Sequence, residues 1–198
     1  IDRNTIEFTR DENIRIDCMD FACGVEEVLN RDCVDGGESA FQDEARMEEL
    51  LSLYRGDFLE GFNLKNSPDF ESWQMYYREK YRLLACRGLD YLVEHHSAQE
   101  NWDAAIEELH RLLALDNLDE SVHRRLMLLY ARTGRRNSAL LQYKECKRLL
   151  REELEIDPEE QTERLAESIR TRRIDIVKPT SSNTPRNRPA QGTSLLEG

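Results

Sequence analysis

A chain of 198 residues, 39% apolar and 34% charged, is long enough for one helical domain with its own core and at most a small appendage, and too apolar to be disordered throughout. Its 28 basic against 40 acidic residues give a formal charge of -12, which excludes nonspecific attachment of the whole surface to nucleic acid or anionic membrane and leaves room only for a local basic patch. Five scattered cysteines without Cys-x-x-Cys or zinc-finger spacing read as free thiols in a reducing cytoplasm, and no apolar run approaches the roughly 20 residues of a membrane span.

The chain opens on Ile1 rather than methionine and is expected to be a piece of a longer protein. Ile6 and Phe8, then Ile14 and Ile16, alternate with period two on either side of Arg10-Asp11-Glu12-Asn13, which predicts a short β-hairpin over residues 5–17. Asp17 is the expected N-cap of a helix with Phe21, Val25, Val28 and Leu29 on one face. Asp35-Gly36-Gly37-Glu38-Ser39 predicts a flexible loop. A second helix is expected over 42–54, with Ala45, Leu50, Leu51 and Tyr54 inward, Met47 at the border, and Gly56 as its left-handed terminator. Ser67-Pro68-Asp69 is a start signal, with Ser67 as cap and Asp69 and Glu71 beside the positive end of a long helix. Phe70, Trp73, Tyr77, Tyr81, Leu84 and Cys86 or Gly88 are its expected inward positions.

Residues 85–118 and 119–152 share a register of 34 positions: Ala105 pairs with Ala139, Leu109 with Tyr143, Leu92 with Leu126 and Leu89 with His123. That is the tetratricopeptide period, a helix-turn-helix unit that buries its apolar face only by stacking on a neighbour. Antiparallel helices approach closely where one presents a small residue, so Ala105 and Ala139 mark the expected crossings. Gly134 turns the second unit, and Glu100-Asn101 stands there in the first. The fold class is therefore all-α, a stack of antiparallel helix pairs behind a short hairpin. The helix from Tyr143 to Glu155 overruns its unit before Ile156-Asp157-Pro158, and a last helix from Pro158 to about Arg172, with Leu165 and Ile169 inward, caps the stack. Residues from Lys178 on are rich in Pro, Ser, Thr and Asn and read as an unstructured linker.

Enzymatic chemistry has little footing. His95 and His96 are adjacent, so on a helix they point about 100° apart, unlike an i, i+4 ligand pair, and His110 and His123 are single; no metal, cofactor or catalytic residue is assigned. The loop at 35–39 lacks the Lys-Ser/Thr ending of a phosphate loop. Arg124, Arg125, Arg132, Arg135 and Arg136 form the one charged cluster that could meet an acidic partner or a DNA backbone, the alternative being a solvated face balanced by Glu107, Glu108 and Asp119. Lys144, Lys147, Arg148 and Arg151 read as pairing along their own helix.

The succession of hairpin, YRGDFLEGF, SPDFESWQMYYREKYRLL and the 34-residue units resembles the bacterial transcriptional activator domain found in the antibiotic-pathway regulators called SARPs and in related signalling ATPases, over roughly residues 17–172. The resemblance implies that residues 1–17 end the wing of a winged helix-turn-helix, that 18–174 are the activator domain, and that 175–198 are linker. It implies a cytoplasmic regulator whose helical part holds proteins, whether its own copy, RNA polymerase subunits or adjoining domains, while the absent winged helix alone touches DNA. A scaffold within a signalling ATPase or cyclase-linked regulator is the alternative. In this family the segment matching YRGDFLEGF links the leading helices to the long one; Phe58, Leu59 and Phe62 are expected to plug the open end of the stack, with Gly56 and Gly61 turning the backbone on either side.

Overall fold

The computed structural model describes residues 15–31 and 38–171. The hairpin expected before Arg15, the glycines of the loop at 35–37 and the linker lie outside them. Among the described residues there are seven helices and no strand: α1 (Asp17–Asn30), α2 (Glu38–Leu51), α3 (Pro68–Ala98), α4 (Trp102–Leu115), α5 (Glu120–Arg132), α6 (Arg136–Glu153) and α7 (Glu160–Arg170). They form three successive pairs, α1/α2, α3/α4 and α5/α6, and α7 closes the far end against both α5 and α6. The fold is an all-α, tetratricopeptide-like stack.

The 34-residue register reappears as equal burial. Ala105 and Ala139 are both fully enclosed, as are Leu92 and Leu126; Leu89 and His123 are each 2% exposed. Where leucine needs nothing, the histidine needs partners: His123 Nε2 lies 3.0 Å from the Asn117 carbonyl and Nδ1 lies 2.7 Å from the Gln142 amide. The turns match too, since Glu100 (φ 57) and Gly134 (φ 77) occupy the left-handed region one repeat apart. Asn101 caps α4 by accepting from the Ala104 amide, and Asp119 caps α5 by accepting from Ser121 and Val122.

Several local expectations shift. Asp17 is the first helical residue, with Ile16 at the cap position, and its carboxylate accepts from the Cys18 amide instead. The second helix starts at Glu38, taking in Glu38 and Ser39, and ends at Leu51 rather than Tyr54. Met47, placed at the border by the sequence pattern, is fully buried, while Ala45 is exposed. The last helix begins at Glu160, two residues after the buried Pro158, and ends at Arg170. Ser67 precedes Pro68 as expected but makes no side-chain cap bond.

Two glycines make close approaches: Gly24, outside the sequence reading, and Gly88, which that reading offered with Cys86 as alternative inward positions. A Cβ on Gly24 of α1 would lie 2.3 Å from Leu50 Cδ2, and one on Gly88 of α3 would lie 3.0 Å from Met47 Sδ, so α2 nests its Met47, Leu50 and Leu51 edge between two bare stretches of backbone. Leu50 is 1% exposed and has nowhere to retreat. Gly24→Ala is therefore expected to lose more by overpacking, about 1–3 kcal/mol, than the roughly 1 kcal/mol that alanine adds to helix propensity. A lower urea midpoint at unchanged m checks it.

Candidate functional site

The connection between α2 and α3 carries the unusual chemistry of the chain. Its backbone is bent by left-handed residues at Leu59 (φ 53), Gly61 (φ 76) and Asn66 (φ 60), whereas Gly56, the terminator expected from the sequence, keeps a negative φ. Leucine is disfavoured in that region by about 1–2 kcal/mol, so something must hold Leu59 there. α3 does so from one face. Gln74 Nε2 donates to the carbonyls of Leu59 (2.8 Å) and Phe62 (3.1 Å), and Arg78 Nε and Nη2 donate to those of Phe58 (2.9 Å) and Leu59 (3.2 Å). Gln74 is 5% exposed, so its two bonds are shielded from water.

Around this clasp the aromatic rings form a continuous ladder from solvent to core. Phe62 meets Phe70 at 5.7 Å between centroids, Phe70 meets Trp73 at 5.5 Å, and Trp73 meets Phe58 at 5.5 Å and Tyr77 at 5.1 Å. Phe58 then touches Tyr81, and Tyr81 touches Phe21, which is buried. These separations suit edge-to-face and tilted contacts, each worth about 0.5–1.5 kcal/mol beyond area.

The three apolar residues of the connection divide their roles. Phe58 is half-buried against the core, Leu59 is 38% exposed, and Phe62 is 48% exposed on its Phe70 partner. Trp73, expected inward, is 44% exposed, because the inward turn of α3 there belongs to Gln74. Tyr76, at 64% exposure, packs on Tyr77 and carries the aromatic surface outward. Large rings left wet along one face are the composition of a recognition surface. Beside them a cavity of about 330 Å³ opens between the start of α1 and residues 53–60, floored by Phe21 and Tyr81. Burial and the neighbouring Cys18 thiol push the Tyr81 hydroxyl pKa well up, so it stays a neutral donor.

The arginines lie elsewhere, and Arg124, Arg125, Arg135 and Arg136 are spent on the stack itself. Arg124 reaches Glu159 (2.8 Å), Thr162 (3.2 Å) and Glu120 (3.7 Å), and Arg125 spans from α5 back to Asp90 and Glu94 of α3. Arg135 pairs with Asp103 in the first turn of α4, and Arg136 donates to the Ile169 and Arg170 carbonyls at the end of α7. Arg132 is exposed. Apart from Glu120 on the helix of Arg124 itself, their partners come from other elements of the stack rather than from Glu107, Glu108 and Asp119. On α6, Arg148 pairs along the helix with Glu145 and Glu152 as expected, but Arg151 and Lys147 turn to Asp157 beyond its end.

The four histidines also separate by role. His110 lies 2.8 Å from the Tyr130 hydroxyl and His123 is satisfied in the core, whereas His95 and His96, expected to diverge, both turn Nδ1 toward Glu44 of α2. Nearby, burial pushes the Glu108 carboxyl up to about 7 although Arg111, 2.7 Å away, pulls it down. Burial likewise raises the Cys86 and Cys146 thiols, the latter to about 12, so neither is a thiolate at neutral pH.

A stack of antiparallel helix pairs with a wet aromatic face defines a helical-repeat domain. The sequence matches the family model of the bacterial transcriptional activator domain over residues 31–170, and the chain belongs to that family. Among curated proteins no match is found. No helix among the described residues is long and apolar enough to cross a membrane.

Proposed function

We propose that this chain is the regulatory and protein-interaction part of a cytoplasmic bacterial transcriptional activator, holding a second copy of itself or the transcription machinery while a winged helix outside this sequence reads DNA. It makes and breaks no bond. The observation that carries this reading is the exposed run Phe62, Trp73 and Tyr76, rigidly backed by the aromatic ladder, in a chain of the activator-domain family. Rings already locked by their neighbours lose little entropy on binding, which is what interface anchors need. The arginines, tied within the stack, are left to steer approach rather than to anchor.

The test is association. Sedimentation of the chain alone and its binding to purified RNA polymerase are measured for the wild type and for a Trp73→Ser, Tyr76→Ser double variant. At least one association is expected in the wild type, weakened about a hundredfold in the variant, since two rings worth about 1.4 kcal/mol each remove about 2.7 kcal/mol together. A wild-type chain that is monomeric and blind to polymerase overturns the proposal, and so does tight sequence-selective binding to operator DNA in a gel shift.

A further inference from the structure

Between α2, the C-terminal end of α3 and α4 lies a cluster that the repeat architecture does not require. Glu44, His95 and His96 each bring one ligand-type atom to within 4.8 Å of the other two, and His96 forms a second such group with Glu48 and Glu108. His95 Nδ1 stands 3.4 Å and His96 Nδ1 3.7 Å from the two oxygens of the Glu44 carboxylate. Both nitrogens are enclosed, and neither has a hydrogen-bond partner. His96 is 6% exposed, so its Nδ1 is an unpartnered polar atom aimed at a carboxylate in the protein interior.

Two enclosed ring nitrogens stand near one carboxylate, yet neither makes a hydrogen bond to it, so the three groups converge without being joined to one another. A cation between the three groups satisfies all of them. Atoms bound tetrahedrally at about 2.0–2.1 Å stand about 3.3–3.4 Å apart, close to the separations from Glu44. A supporting shell is also in place. His95 Nε2 lies 3.2 Å from the Gln99 amide, whose oxygen, once turned to the ring, accepts Nε2–H and leaves Nδ1 as the donor to a metal. The ring is braced further by Tyr91, stacked on it at 7° between planes. Arg111 occupies Glu48 and Glu108 at 3.1 and 2.7 Å, keeping those carboxylates beside the site as an outer ring.

We infer that Glu44, His95 and His96 bind a divalent transition-metal ion, with zinc the best fit to two imidazoles and a carboxylate, and that the ion clips α2 to the end of α3. Imidazole with carboxylate favours zinc, nickel and copper over magnesium or calcium, which want oxygen throughout. The clip joins the first helix pair to the second.

The test uses the whole chain, stripped with a chelator and titrated with zinc chloride against a chromophoric competitor, with cobalt substitution as a spectroscopic signature. Expected are one zinc per chain and tetrahedral cobalt bands free of thiolate charge transfer. Glu44→Gln and His95→Gln, both at partly exposed positions, are expected to weaken zinc by about a hundredfold or more, since even outer-shell partners are worth 10–100-fold. His110→Gln is expected to leave it unchanged. Absence of stoichiometric zinc in the wild type overturns the inference. So does binding that survives both substitutions in variants with native circular dichroism, and so does a cobalt spectrum showing thiolate ligation.

Discussion

Ala105→Leu and Ala139→Leu are each expected to destabilise the fold by about 3 kcal/mol, the upper part of the overpacking range, and to lower the melting temperature by about 6–12 °C for a chain of this size. Both methyls are wholly enclosed, yet their surroundings differ. Ala105 belongs to the main core that runs from α1 to α5, and Ala139 to a smaller cluster with Met127, Tyr143, Ala166 and Ile169 at the capped end. Three extra heavy atoms at 105 must be accommodated by helices held on both sides. At 139 the strain can escape by lifting α7, which is covered on one side only. The Ala105 variant is therefore expected to unfold in one transition of reduced urea midpoint. The Ala139 variant is expected to lose protection from hydrogen exchange first along α7. Ala114→Leu, exposed on the same helix as Ala105, is expected to stay within about 0.5 kcal/mol of the wild type. Equal behaviour of the 105 and 114 variants would remove the physical basis of the close helix approach.

What the sequence disclosed and what it hid follow from the range of the interactions. Periodicity reports the neighbourhood of one helix, so the burial of Leu92 with Leu126 and of Leu109 with Tyr143 could be read from the 34-residue register. The turn at Gly134 was legible from its residue type; that at Glu100 was legible only by position, since glutamate does not advertise a left-handed φ. Trp73 and Gln74 exchange the roles that hydrophobicity assigns them. The reason is tertiary: bent carbonyls of a connection 12 and 15 residues earlier need donors, and an amide supplies two where an indole supplies one pointed elsewhere. Likewise the 100° between His95 and His96 is correct for the helix and wrong for the site, because Glu44 arrives from α2 and rotatable side chains close the angle. The arginines were legible as a cluster. Most of their partners were not, since they sit about one repeat away, as Asp90 and Glu94 do from Arg125. Gly24 carried no signal, and Gly88 was legible only as an alternative to Cys86, because close approach depends on a helix that docks from elsewhere.

Gln74→Leu keeps the volume and the burial of position 74 and deletes both donors, so it separates two ways in which the aromatic surface could be held. If the clasp positions the connection, two carbonyls lose shielded partners and Leu59 loses half of what keeps it left-handed. Stability is then expected to fall by about 2 kcal/mol, and the Glu60 and Phe62 amides, which close the turn onto Asp57 and Leu59, are expected to exchange much faster than in the wild type while core amides slow or quicken only with global stability. If instead the ring contacts of Phe58 position it, those two amides keep their protection in Gln74→Leu and lose it in Phe58→Ala. The structure favours the first outcome. Phe58 anchors only the middle of the segment, whereas the donors of Gln74 and Arg78 grip the carbonyls of residues 58, 59 and 62 on both sides of the left-handed pair Leu59 and Gly61. A leucine at 74 also leaves Trp73 and Tyr76 on an intact helix. Partner binding that weakens in this variant would then trace to Phe62 alone, the one exposed ring of the face carried by the connection itself.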